Sequence, residues 1–374
     1  MPFRLFRRLP RRSSAPAGNL RPAVESLEGR DLPSGGPIIV HPGPGDPLQA
    51  AVTGAAPGST ILIEPGTYDE AVTVDKANIK LIGLPGPSGV VIENPKAGSN
   101  ADGVLVTPRG GGFVLRNVTV RDFDENGVLL TGVNGFWLSN VTAVNNHDYG
   151  LFPVLSAHGV IEFSSASGSH DTGIYVGQSS DVTLRDNAAH DNVNGFEVEN
   201  STGVRAYGNL AYGNTVGIFV DLLPPVDGIT VTTASDNTVE GNLVLDNNRA
   251  NDADPTDLAA AEASGVGILL VGGDHTTVRD NLVTGNDVGG IVLLSGLDLE
   301  ALGALPPGSY SGAGIDPSPE HTLIEDNIVL GNGRHPTDPT QPHADLVASP
   351  DALMGSANHW EGNLFQTSFP GALP

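Results

Sequence analysis

Cysteine is absent from the 374 residues, which excludes both a disulfide framework and a thiolate metal site. Aromatic side chains make up only 5% and methionine occurs twice, so any core must be built mainly from aliphatic residues. Basic charge is scarce: 18 Lys and Arg stand against 43 Asp and Glu, a net charge of −25. A surface that acidic repels nucleic acid and suits cations or neutral glycans; a polyanion would need bridging cations. No stretch approaches the ~18 apolar residues of a membrane span. What is plentiful is glycine (49) and proline (29), with Asn, Asp, Val and Thr recurring between them. That mixture suits many short strands punctuated by turns, and the 39% of apolar residues argues against disorder.

The charge is unevenly spread. Residues 1–30 hold seven Arg and two Glu, a local +5 against −25 overall, which leaves −30 for the remainder. Arg4, Arg7, Arg8, Arg11 and Arg12 precede a Ser/Ala/Pro stretch without an apolar h-region, unlike an ordinary secretory signal. The run Leu20-Arg21-Pro22-Ala23-Val24-Glu25-Ser26-Leu27-Glu28-Gly29-Arg30-Asp31-Leu32-Pro33 resembles the L-E-x-R-x-L leader of many bacterial exported or surface proteins. Residues 1–36 are therefore expected to be a basic leader or sorting segment outside the core, and the protein to be extracellular, at the cell surface or periplasmic.

Repetition organises the rest. Gly103, Gly127, Gly150, Gly173, Gly195 and Gly217 each open a short apolar strand, at gaps of 24, 23, 23, 22 and 22 residues, and the register returns at Gly267 and Gly290. Beside it run Asn117, Asn140, Ser165, Asn187, Asn209, Asn242, Asn281, Asn327 and Asn363. This period suits a coil of three short strands and three turns, with successive coils stacked in parallel about 4.8 Å apart. A side-chain amide both donates and accepts, so stacked asparagines satisfy one another inside a solenoid. That placement would bury Asn117 and Asn140, which discounts the glycosylation sequons they begin. Near the start, Asp46 can cap and Pro47 can open a short helix whose Leu48, Ala51, Val52 and Ala55 share one face, suited to plugging the first coil.

The opening PGDPLQAAVTGAAPGSTILIEPGTYDEAVTV, followed by NIKLIG, resembles the beginning of pectin-lyase-like β-helices. Coils with N-x-x-x-G-I resemble NosD-type and carbohydrate-binding and sugar-hydrolysis repeats. The stretch from His170 to Pro225 resembles a family of exported bacterial β-helix proteins of undetermined biochemical function. The resemblance spans residues 37–366 and implies an all-β fold: a single-stranded, right-handed parallel β-helix solenoid with a short N-terminal capping helix. Insertions are expected at 222–235, 249–264, 295–320 and 333–356, and a tail at 367–374. The chain is expected to be monomeric, with a glycan or cell-surface partner.

After each leading glycine, alternation turns Val128/Leu130, Leu151/Pro153, Ile174/Val176, Phe196/Val198, Ile218/Val220, Ile268/Leu270 and Ile291/Leu293 inward. The outward positions read Leu129, Phe152, Tyr175, Glu197, Phe219, Leu269, Val292 and Thr131, Val154, Gly177, Glu199, Asp221, Val271, Leu294. Such an apolar outer face is either covered by loops or a platform on which Phe152, Tyr175 and Phe219 stack against sugar rings. Glu197, Glu199 and Asp221 fall on two adjacent coils of that face, with Glu199 opposite Asp221, a like-charge pairing that needs compensation. No cofactor is required, but calcium is the one these three acids could hold. His147-Asp148 and His170-Asp171 stack at the turn into the same sheet, where they could serve as acid and base or take the turn positions that later coils give to Asn192 and Asn214.

The enzyme patterns fail at defining residues. Pectate-lyase-like chemistry wants an arginine base, and Arg185 and Arg205 lie on other strands. The polygalacturonase pattern of N-T-D, D-D, G-H-G and R-I-K is absent, as are the methylesterase segments and the epimerase D-P-H-D motif. Glu199 and Asp221 suit the ~5 Å carboxyl spacing of a retaining glycosidase, but they suit a metal equally. The reading is a β-helix that binds glycan or a partner through its glycine-led sheet. The alternative is a lyase, epimerase or hydrolase that uses Glu197, Glu199, Asp221, His147, Asp148, His170 or Asp171.

Overall fold

A computed structural model describes residues 36–95, 101–226, 228–336, 338–354 and 357–373; the expected leader lies outside them except for Gly36. From Ile38 to Phe369 the strands pair in parallel, coil upon coil. Among the described residues, one sheet has eleven strands and is the glycine-led one; the other strands form a twenty-stranded array. Ile174, Phe196, Ile218, Ile268 and Ile291 lie one above another, and Tyr175, Glu197, Phe219, Leu269 and Val292 form the next column. The first of these columns is buried in the core, as the alternation requires.

The repeat has a packing cause. A Cβ added to Gly195 would lie 2.5 Å from the Gly217 carbonyl oxygen and 2.7 Å from Asn214 Nδ2, and at Gly173 it would meet Asn192 Nδ2 at 2.7 Å. The glycine of one coil thus leaves room for an asparagine amide of the next. Those asparagines form a column of their own: Asn192, Asn214, Asn247, Asn286 and Asn332 pass hydrogen bonds from amide to amide, and Asp345 accepts the last.

A second column behaves alike. The Nδ2 groups of Asn187, Asn209, Asn242, Asn281 and Asn327 each donate to the Oδ1 of the following asparagine at 2.9–3.1 Å, ending at Asn363. Its first members differ from expectation. Ser164, not Ser165, precedes Asn187, because the Ser164 N–H donates to Asn187 Oδ1. Asn117 and Asn140 sit one residue earlier, in left-handed turns at φ 57° and 54°. Both are exposed, so their sequons lie on the surface rather than inside. Asparagine tolerates that turn geometry well.

The first coil is closed by a helix, Pro47–Gly54, which buries Leu48 and Val52. Asp46 makes no side-chain cap. Glu70 does so instead, accepting from the N–H groups of Leu48 (2.9 Å) and Gln49 (2.7 Å). At the far end two expectations change. Residues 333–356 include the strand Ala344–Ala348, paired with Gly289, Ile291, Val292 and Leu293. The tail adds Ser368–Phe369 to the same sheet. Sequence spacing hid both strands because neither follows a leading glycine.

Candidate functional site

The outer face of the glycine-led sheet is divided. Leu105, Leu129 and Phe152, on its earlier coils, are half-buried, whereas Tyr175, Phe219, Leu269 and Val292 are buried. An open aromatic platform is thus excluded beyond Phe152: Tyr175 and Phe219 have no face available to a sugar. The insertions provide the cover. Leu223 and Ile229 from the first insertion cluster with Leu305 and Tyr310 from the third, and the Tyr310 hydroxyl donates to the Leu222 carbonyl at 2.7 Å. Phe152 packs with Tyr149 (4.2 Å between centroids) and edge-on with Tyr175 (4.7 Å).

Beneath that cover lie the acids. Glu199 pairs with Asp221 across neighbouring strands, and Glu197 with Phe219. Tyr175 donates its hydroxyl to Glu199 at 2.8 Å. Thr172 donates to Asp171 at 3.0 Å and makes a close hydrogen bond to Glu197. Asn194 donates to Glu197 at 3.3 Å and to Glu262 at 3.0 Å. Glu262 arrives from the 249–264 insertion and was not singled out from sequence. Its signal was only that an acid stood in a loop predicted to wall this sheet.

Burial, reinforced by the surrounding acids, raises Glu197 and Asp221 well above the usual carboxylate range. Burial likewise pushes Asp171 up to about 6 and Glu262 up to about 8. The charges acting most strongly on Glu197 are all negative: Asp171, Asp221, Glu262 and Glu199. Chemically, this is an enclosed set of oxygen acceptors that must hold protons or a cation.

The histidines occupy a different row. His147 and His170 stack at 4.8 Å with their rings 11° from parallel. The Nδ1 of His147 lies 2.8 Å from Asp148 Oδ1, and that of His170 lies 3.2 Å from the Asp252 carbonyl. The turn positions compared with Asn192 and Asn214 belong instead to Asn146 and Ser169, one residue earlier. His190 pairs with Asp191 and stacks on Tyr212, apart from both. Backbone hydrogen bonds set Glu125, Asp148 and Asp171 in line along the edge of the sheet, and Asp102 joins them through Asn126 (2.7 Å). The half-open floor is therefore bordered by an acidic rail.

Two family models match parts of the chain: the right handed beta helix region over residues 81–222, and the periplasmic copper-binding protein (NosD) over residues 155–300. Among solved structures, the A-module of a mannuronan C-5 epimerase from Azotobacter vinelandii superposes with a TM-score of 0.59 at 17% identity, over 85% of this chain and 92% of that one. A second such A-module from the same organism gives 0.54 at 15% identity, over 85% and 89%. A family 28 exopolygalacturonase from Yersinia enterocolitica gives 0.53 at 12%, over 88% and 71%. The protein is a right-handed parallel β-helix. No curated protein matches it in sequence.

The copper in one family's description does not fit the enclosed acids of this β-helix. Copper favours thiolate, thioether and imidazole ligands, whereas the cluster offers oxygen alone. No helix among the described residues is long and apolar enough to cross a membrane.

Proposed function

We propose that this β-helix binds a neutral or amine-bearing glycan along the half-open part of its glycine-led sheet. Leu105, Leu129 and Phe152 would form the floor, and Asp102, Glu125, Asp148 and Asp171, with His147 and His170, the polar edge. The observation that carries the reading is the division of one sheet into a covered half and a half-exposed apolar half with an acidic rail. Sugar rings present apolar C–H faces to such a floor and hydroxyls or amines to such a rail. Support also comes from the similar solved structures, whose names describe proteins acting on mannuronan and polygalacturonate. A polyuronate would meet repulsion at the rail, so this chain's ligand differs in charge. We read the protein as exported, in keeping with its leader and with the periplasmic description of one matching family.

A panel of neutral, amino and uronate polysaccharides tests this by calorimetry, with and without Ca²⁺. Binding of a neutral or amino polymer is expected. Phe152→Ala should weaken it at least tenfold (about 1.4 kcal/mol) while the melting temperature falls only slightly. Absence of binding across the panel, or binding indifferent to Phe152→Ala, would overturn the proposal. Reducing ends or unsaturated products, abolished by Asp148→Asn or Asp171→Asn, would turn the reading towards catalysis.

A further inference from the structure

An ionised carboxylate shut away from water needs a positive charge or hydrogen-bond donors to answer it. Under the insertions, Glu197, Glu199 and Asp221 each offer one carboxylate oxygen, and the three atoms lie within 4.8 Å of one another. All three residues are buried, Asp221 completely. Both Asp221 oxygens are closed off from solvent, and neither accepts a hydrogen bond from another of the described residues.

A neutral side chain makes the same point independently. Asn194 is fully buried and is held against the cluster by its hydrogen bonds to Glu197 and Glu262. Its Oδ1 also lacks a donor among the described residues, as does Glu262 Oε2. Unanswered buried oxygens thus occur both in the three-acid cluster and on the two side chains beside it, and the charges acting most strongly on Glu197 and Asp221 are all negative.

We propose that Glu197, Glu199 and Asp221 form a calcium-type divalent cation site, flanked by Asn194 and Glu262, that pins the 249–264 insertion to the glycine-led sheet. The donor set is all oxygen, as a hard cation prefers. Ca²⁺ takes its ligands at ~2.3–2.6 Å, so opposite ligands stand ~4.6–5.2 Å apart, a span that accommodates these three atoms. Glu197 and Glu199 come from one strand, Asp221 from the next, and Glu262 from the insertion. One ion would therefore tie two coils together, with the loop above held beside it by the Asn194 bonds to Glu197 and Glu262. The site adjoins the half-open groove, since Thr172 touches both Asp171 and Glu197, but its ion binding stands whether or not that groove binds glycan.

The full chain, stripped with chelator and titrated with CaCl₂, provides the test. We expect one ion per chain by calorimetry, a melting temperature several degrees higher, and slower hydrogen exchange across 249–264, with MgCl₂ weaker in each. Terbium should luminesce on binding, sensitised by Tyr175, whose hydroxyl lies 2.8 Å from Glu199 Oε1. Tyr175→Phe should dim that emission while one ion still binds. Glu199→Gln and Asp221→Asn should abolish the calcium-dependent gain while melting no lower than wild type in chelator. If either variant fails to fold, the calcium and chelator arms on the wild-type chain decide the question. Wild type whose melting temperature and loop exchange ignore CaCl₂, or terbium emission indifferent to Asp221→Asn, would mean that protons alone balance the acids and would overturn the proposal.

Discussion

Along the column from Asn187 to Asn363 each amide donates to the next coil and accepts from the coil before. On the outer face of the neighbouring sheet, Glu199 and Asp221 repeat the stacking, with Glu197 beside them, using side chains that only accept when ionised. The difference lies in the functional group. An amide carries donor and acceptor together and can extend a row through any number of coils, whereas a carboxylate row needs an answer from elsewhere. The same β-helix shows two such answers: backbone N–H groups meet Glu70 at the helix start, and Arg185 and Trp137 meet Glu162.

The largest effect should come from breaking the amide row. Asn209 Oδ1 accepts from the Asn187 backbone and side chain, and its Nδ2 donates to Leu184 O and Asn242 Oδ1. Asn209→Leu leaves several of those groups unpaired and should cost about 3 kcal/mol in chemical denaturation, given ~1–3 kcal/mol for each buried unsatisfied group. A neutral result would remove the amide row from the account of stability.

Asp221→Asn makes the opposite move by bringing an amide into the carboxylate row. In chelator it should stabilise by about 1–2 kcal/mol, the order of a like-charge contact relieved. A loss as large as that of Asn209→Leu would show that the acids are not in conflict.

Glu70→Ala removes an acid whose donors are already present, and with it the cap on Pro47–Gly54. The expected loss is ~1 kcal/mol, as for other N-terminal caps, measured by thermal melting.

The smallest effect is the pH dependence at Glu162. Burial works to raise its pKa, but the hydrogen bonds from Arg185 and Trp137 outweigh that and hold it below the usual value. A lowered folded-state pKa means stability that is present above the unfolded value of ~4.3 and lost as pH falls through the folded one. Glu162→Gln should therefore be less stable than wild type at neutral pH, and the gap should close in acid below that value. A gap that stays constant through this range would show that the ion pair contributes nothing.

Much of the architecture was legible because a coil's length and its alternation are local quantities. Leading glycines at steps of 22–24 residues reported the coil, and the inward apolar pairs reported the register. The pairing of Glu199 with Asp221 followed from that register alone. Where an amide column began was less visible: Asn117 and Asn187 look alike in sequence, yet one residue of offset puts the first in an exposed turn and the second inside. The strand Ala344–Ala348 escaped for a related reason, since Asp345 there takes the place that earlier coils give to a glycine-led pattern.

Local spacing determined that this chain winds as a parallel β-helix with three acids on one face, because strand periodicity and coil length are written in consecutive residues. Only the tertiary structure decided that those acids are enclosed, that Glu262 joins them from an insertion further along the chain, and that the platform stays half-open only as far as Phe152. Cover and enclosure depend on where insertions fold back, and that is set by contacts between residues far apart in the chain, such as the Tyr310 hydroxyl on the Leu222 carbonyl.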